Sequence, residues 1–520
     1  MPRRLLRIEA TLTSPSCQLI KTQDLPAPAT YAMLSHCWGD ILSQPPLRTV
    51  KGNLDDHYID VPWDNLPRNF QDAALVTLKL DLQYLWVDSL CIIQDDKEDW
   101  QEQATQMAQV YQNGVLNIAA SSAPDSHAGF LHNGIHADVQ KVNLPAPFEG
   151  GYVSVTREWW SWECATKNRY SSRGWVLQEI GLSPRSVFFD GDQLRWQCRQ
   201  RCTAEDWTYD KDHIQCFSNG FGGPPFDFST ATSAYKMWWL WITDFSRREL
   251  TYAGDRAPAL AGLSSFYANK TGHIPLLGLW SDTLAYDLSW EHSSWSRTVI
   301  RAQTTRPFTE FPTWSWLSLM GKVQAQLTAP DTKASTISLR VVDAHVEWNS
   351  HAWTSGLKSS RLIVNGMLKP VILERGATAS HAIDQLGDVL LLLSDTHYAD
   401  MKYGNPVSLQ SVHGLYSLDF DEPEILGGPT SAVVALHLYQ DVNEGIGPEP
   451  VMFEILSGGR PPENRRVVDK CLLLVEKDGL YRRVGTAELE FQHMLAEKDI
   501  GREYIERHFV ESERLTVEIC

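Results

Sequence analysis

The chain has 520 residues, 43% of them hydrophobic and 21% charged, with a formal net charge of −18. That length exceeds one ordinary hydrophobic core and predicts about two to four domains. The acid excess, with no dense Lys/Arg run, argues against a nucleic-acid-binding or anionic-membrane-binding surface, and no apolar run approaches the roughly 20 residues of a membrane span.

The apolar stretch behind Arg3, Arg4 and Arg7 is too short and interrupted for a signal peptide. The nine cysteines are scattered and odd in number, which predicts reduced thiols in a cytosolic or nuclear setting, of which the cytoplasmic one is expected. Cys198 and Cys202, with His213 and Cys216 beyond, lack the C-x2-C spacing of zinc sites, so no metal is expected. Twenty tryptophans predict a well-filled interior.

In chain order, "YAMLSHCW" (31–38) reads as a buried strand. "LPRNFQDAALVTLKLDL" (66–82) sets Leu66, Phe70, Ala73, Thr77 and Leu80 at helical spacing, with Pro67 in the first turn. "YLWVDSLCII" (84–93) is nearly continuous in apolar residues, as in a central parallel strand. A helix over 95–113 opens on Asp95 with Glu98 and carries the stripe Trp100, Ala104, Met107, Tyr111. "VLNIAASS" (115–122) is a third strand. The resulting βαβαβ pattern predicts a mostly parallel, doubly wound sheet flanked by helices, with ligands at the carboxyl ends of its strands. Ser35, His36, Asp88, Ser89 and Cys91 stand in or just after the two best strands.

A helix then carries Gln178 and Glu179 among Trp175, Val176, Leu177 and Ile180 before an apolar strand, and Gly191-Asp192 turns that strand into a hairpin. The α/β domain is placed at 1–217 and a Gly/Pro-rich linker at 218–230. A helical segment follows at 231–272, and a β-rich C-terminal domain of short strands at 273–520.

Three blocks, "YAMLSHCWGD" (31–40), "LQYLWVDSLCIIQDDKEDWQEQATQMAQVYQNGVLNIAAS" (82–121) and "RGWVLQEIGLSPRSVFF" (173–189), closely resemble the fungal heterokaryon incompatibility (HET) domain. The pieces "LTYAGDRAPALAGLSSFY" (250–267), "LLGLWSDTLAYDLSW" (276–290), "FPTWSWLSLMGKV" (311–323) and "CLLLVEKDGLYRRVG" (471–485) resemble the tail common in such proteins. His36 departs from the pattern, which usually has an aromatic such as Tyr there. The resemblance implies a protein of fungal non-self recognition and programmed cell death. It also implies a TIR-like fold, because the domain is distantly similar to TIR domains. Some TIR domains cleave NAD at the nicotinamide–ribose bond using a glutamate, often in a W-x-x-x-E pattern. Trp175 and Glu179 have that spacing here, as do Trp159 and Glu163.

On this reading Glu179 is the candidate catalytic carboxylate, and Ser35, Trp38, Asp88, Arg173 and Trp175 are candidate substrate-binding residues. NAD enters as a substrate, and no cofactor is expected. Each residue also has a structural reading. Glu179 can be half of a buried ion pair with Arg173 or Arg185. Asp88 can cap a helix or pair with an arginine. Ser35 and Trp38 can be a turn hydroxyl and a core indole. His36 and Cys37 are adjacent in a strand and point to opposite faces, which argues against a thiol nucleophile activated by this histidine. Gly39 is expected to hold an unusual backbone angle. Absent G-x-S-x-G, P-loop and G-x-G-x-x-G patterns leave no familiar hydrolase elbow or phosphate cradle. Three functions fit: an NAD glycohydrolase, a non-catalytic signalling module that self-associates or binds a fungal recognition partner, and a HET fold recruited for small-molecule metabolism.

Overall fold

The computed structural model describes residues 1–10, 15–26, 28–131, 142–145, 152–155, 169–191, 194–199, 201–205, 210–212, 228–292, 308–325, 336–375, 389–393, 419–420, 433–444, 464–494 and 514–520. The chain divides into two compact units. The first comprises Met1–Phe228, Arg247–Lys270 and Trp348–Gly356; the second comprises Ser229–Ser246, Thr271–Glu347 and Leu357–Cys520.

The first unit is built on a nine-stranded sheet. Its members are β1 (Arg4–Glu9), β2 (Ser16–Lys21), β3 (Tyr31–Ser35), β4 (Tyr84–Trp86) and β5 (Leu116–Ala119), and later β8 (Arg185–Phe189), β9 (Leu194–Cys198), β10 (Arg201–Ala204) and β11 (Asp210–Asp212). Between them, β6 (Val142–Pro145) and β7 (Tyr152–Val155) form a separate antiparallel pair. The spatial order is β11-β10-β9-β8-β5-β3-β4-β1-β2. Only β8, β5, β3 and β4 run parallel; β1 and β9 join them antiparallel. The sheet is therefore mixed, with the expected parallel strands at its centre and hairpins closing both flanks.

Among the described residues up to 228, the helices of the first unit are α1 (Leu54–Ile59), α2 (Arg68–Lys79), α3 (Asp88–Cys91), α4 (Lys97–Asn113) and α5 (Gly174–Leu182). The chain leaves β3 for β4 on one side, then returns through α4 to β5 on the other. Connections leaving adjacent strands β3 and β5 thus diverge, which opens a crevice at their carboxyl ends.

Period-two alternation assigns the faces of β3. Ala32 and Leu34 join Phe70, Ala73 and Ala74 of α2 in one cluster, so Met33 and Ser35 face the other side. Beyond the strand the alternation continues. His36 meets Phe70 edge-on, centroids 5.1 Å apart, whereas Cys37 packs with Tyr170, Val176 and Ile180.

Two local expectations are corrected. The apolar run 84–93 is not one strand: β4 ends at Trp86 and α3 begins at Asp88, whose Oδ1 accepts the Ser89 N–H at 2.7 Å. Helix α4 is capped by Asp96, which accepts from Glu98 N and Asp99 N; Asp95 instead accepts from Lys51 N.

The second unit combines a tryptophan-rich core with long β-strands. Helix α6 (Ala231–Phe245) buries Trp238, Trp239 and Trp241, and Trp280, Trp290, Trp314 and Trp316 are also fully buried. Within this core Asp287 accepts from Trp239 Nε1, Trp280 N and Thr283 Oγ1, each at 2.8 Å. Within the helical segment expected over 231–272, α6 stops at Phe245, whereas the short 3-10 turns and α7 (Ala261–Thr271) that follow belong almost wholly to the first unit. The β-strands are longer than the short ones expected: Leu357–Arg375, Asn464–Lys477 and Leu480–Met494 have 19, 14 and 15 residues. Asp478 (φ 56) and Gly479 (φ 80) make the tight turn joining the last two. The pairing path from Val433–Glu444 through these strands and Arg514–Ile519 reaches Leu357–Arg375, which pairs back with Val433–Glu444.

Candidate functional site

Ser35 ends β3 on the face opposite α2, and α5 lays Glu179 against it. The Ser35 hydroxyl donates to Glu179 Oε2. Tyr170 OH and Ser35 Oγ lie 2.8 Å apart. A serine has one hydroxyl hydrogen, so while it goes to the carboxylate, Tyr170 must be the donor to Ser35 Oγ. A chain Tyr170, Ser35, Glu179 results. Glu179 is 3% exposed, and nothing among the described residues donates to its Oε1.

The ion pair offered as the structural role of Glu179 does not form. Arg185 is exposed on β8. Arg173 stands at the N-cap of α5, and its Nη1 donates to the carbonyl of His36. Arg173 acts on Glu179 only through its field: burial pushes the Glu179 carboxyl up to about 7, while Arg173 and the Ser35 hydroxyl pull it down.

A second carboxylate lies nearby. Asp88 Oδ2 accepts from Trp38 Nε1 at 2.9 Å, and burial raises its pKa against the opposing pull of Arg173, Trp38 and Ser89. Asp88 therefore opens α3 and orients the Trp38 indole. Gly39 follows at φ +86, and a Cβ there would lie 2.5 Å from that of Asp125. The unusual backbone angle expected of it is present, and the close approach also demands glycine.

These groups face a cleft of about 540 Å3 lined by Trp38, Asp88, Arg173, Trp175 and Glu179. Such a volume is within the range of small-molecule sites. Ser35 reaches the cleft only through Glu179. Trp175 Nε1 donates to Asp255 Oδ2 at 3.0 Å, which holds the indole in the wall.

That wall contains residues the sequence reading did not assign to the site. The strap 248–255 supplies Glu249, Leu250, Thr251, Tyr252 and Asp255. It is tied to the start of α5 by Gly174 N to Glu249 O (2.8 Å) and Glu249 N to Ser172 O (2.6 Å). Arg248 Nη1 adds bonds to the carbonyls of Ser171 (2.8 Å) and Arg173 (3.2 Å). Tyr170, Arg48 and Arg169 were also missed. Tyr170 stands three residues before Arg173, which was the only local signal for it.

His36 and Cys37 form no dyad. Burial, then the field of Arg173, drives the His36 imidazole down to about 3. Among the described residues neither ring nitrogen has a hydrogen-bond partner. Burial pushes the Cys37 thiol up, which disfavours a nucleophilic thiolate. Trp159, Glu163, Cys164, His213 and Cys216, and positions 218–227 of the expected linker, lie outside the described residues. Among the described residues no group of three or more His, Cys, Asp or Glu could hold a metal ion, and no helix is long and apolar enough to cross a membrane.

Residues 31–179 match the family described as heterokaryon incompatibility protein (HET). No curated protein matches the chain. No solved structure matches it either.

Proposed function

We propose, from the match of residues 31–179 to the heterokaryon incompatibility (HET) family, that the protein acts in fungal non-self recognition and cell death, by hydrolysing NAD at the nicotinamide–ribose bond. The observation that carries this reading is Glu179: a buried carboxyl on the wall of a cleft, with one oxygen held by Ser35 and, among the described residues, no guanidinium bound to it and no donor to its other oxygen.

Cleavage of the C1′–N bond sends its electron pair to nicotinamide, a good leaving group, and leaves positive charge on the ribose. An ionised Glu179 stabilises that charge, and the low-dielectric wall strengthens its pull. Water then forms the new C1′–O bond, giving ADP-ribose, and its proton passes to solvent through Glu179. A pKa of about 7 suits that acceptor near neutral pH. Trp38 and Trp175, held by Asp88 and Asp255, offer apolar faces to the rings of the substrate, and Asp88 offers a carboxylate to ribose hydroxyls. Arg173, beside Glu179, keeps part of the carboxyl population ionised.

Purified full-length protein incubated with NAD should release nicotinamide, and Glu179→Gln should lower the rate about a thousandfold while the fold persists. Equal rates in the two proteins would refute the assignment of Glu179. In a fungal host, loss of viability without NAD loss would favour a cytoplasmic assembly module that kills by self-association or by recruiting partners.

A further inference from the structure

Two cationic side chains on the cleft have no role in the reading above. Arg48 and Arg169 both line it, both are exposed, and among the described residues neither guanidinium has a hydrogen-bond or ion-pair partner. This occurs in a chain with 64 Asp and Glu against 46 Lys and Arg, where acidic partners are plentiful. Both arginines are carried on pinned backbone. Thr49, next to Arg48, is fully buried; its N–H donates to Ser89 O at 2.9 Å and its carbonyl accepts from Gln94 N at 2.8 Å. Arg169 precedes Tyr170, which is buried and bonded to Ser35, and its carbonyl accepts from Ser172 Oγ at 3.1 Å.

Acidic neighbours do not neutralise the pair. Asp40 feels the field of Arg169, but its carboxylate is taken up by Leu42 N (3.0 Å) and Ser43 Oγ (2.9 Å) of its own turn. Glu249 also lines the cleft, without an ion pair to either arginine. The site is thus graded: its lining joins a buried carboxyl, Glu179, to two exposed guanidiniums that have no partner among the described residues. A guanidinium presents several N–H donors in a planar fork that matches phosphate oxygens.

We infer that Arg48 and Arg169 form an anion subsite that grips the phosphates of a nucleotide substrate while its ribose reaches Glu179. The inference rests on the proposed NAD reaction, whose carboxylate fixes which end of the ligand lies inward. In that reaction the arginines are positioning residues: they hold the diphosphate and take no part in bond cleavage.

The test uses native full-length protein, Arg48→Ala and Arg169→Ala. With NAD as substrate, KM should rise about 10–100-fold in each variant with kcat nearly unchanged. Hydrolysis of nicotinamide riboside, which lacks phosphate, should be the same in all three proteins. Inorganic pyrophosphate should inhibit the native protein and not the variants. An unchanged KM for NAD in both variants, or equal losses on nicotinamide riboside, overturns the subsite. If no protein releases nicotinamide, calorimetry with ADP-ribose separates the two claims. Binding to native protein that weakens at least tenfold in each variant upholds the subsite while hydrolysis fails. Absent or equal binding overturns it. Both arginines are exposed, so the substitutions leave the core intact, and a thermal melt of each variant confirms it.

Discussion

The hydroxyl of Ser35 donates to the carboxyl of Glu179, 144 residues further along the chain. This bond joins the end of a central strand to the middle of a helix that is buried on the same face. It also restrains a carboxyl whose burial raises its pKa to about 7. Replacing Ser35 by alanine removes the donor that favours the ionised form and leaves the Tyr170 hydroxyl without its acceptor. Ser35→Ala should therefore cost about 1–3 kcal/mol of stability, and the acid limb of any pH–rate profile should move to higher pH. A denaturant melt and a rate profile over pH 6–9 read both effects.

Glu179 itself makes stability depend on pH in a definite direction. Its folded pKa is raised from 4.5 to about 7, so the folded state holds a proton that the unfolded chain releases between those values. The protein is favoured below the lower value and loses that contribution as pH rises through about 7. Once ionised, the group costs the fold roughly 3 kcal/mol. Glu179→Gln should melt higher than the native protein at pH 8 and differ little at pH 4, while losing activity. A variant that is destabilised at pH 8 would point instead to a structural carboxylate.

His36 acts in the opposite sense. Its imidazole is driven down to about 3 by burial and by Arg173, so the unfolded chain gains a proton that the folded one resists. That stability is present above the ordinary value of 6.5 and is lost as pH falls toward 3. The ring packs on Phe70 as an aromatic group, and its two nitrogens lack partners among the described residues. His36→Phe should raise the melting temperature, by more at pH 5 than at pH 8, with a gain of about 1–3 kcal/mol in the acid range. Thermal melts at the two pH values decide it.

The strap 248–255 is held by bonds that can be cut singly. Arg248→Ala removes donors to the carbonyls of Ser171 and Arg173. Charge-assisted bonds of this kind contribute about 1.5–3 kcal/mol. Amide exchange at Gly174 and Glu249, whose N–H groups tie strap to helix, should accelerate at least tenfold in the variant. Unchanged exchange at both amides would mean that the strap is fixed by other contacts.

Much of this architecture was legible in the residues because it follows from periodicity. Alternation placed the neighbours His36 and Cys37 on opposite faces, and helical spacing through Phe70, Ala73 and Thr77 marked the helix that covers one of them. The same reasoning misread 84–93, since an apolar run does not reveal where a strand ends and a one-turn helix begins. It missed Asp96 as the cap because Asp95 and Asp96 are chemically alike, and only backbone geometry says which carboxylate meets the free N–H groups.

Local chemistry along the chain was enough to single out Glu179, since an acid amid Val176, Leu177 and Ile180 needs an explanation wherever it lies. It could not say whether that carboxyl would meet a guanidinium, because partners are chosen by distances between segments far apart in the chain. Folding turned Arg173 to the His36 carbonyl and brought Ser35 and Tyr170 to the acid. It also carried a strap some seventy residues downstream of Glu179 across to finish the wall, a contact that no residue spacing encodes.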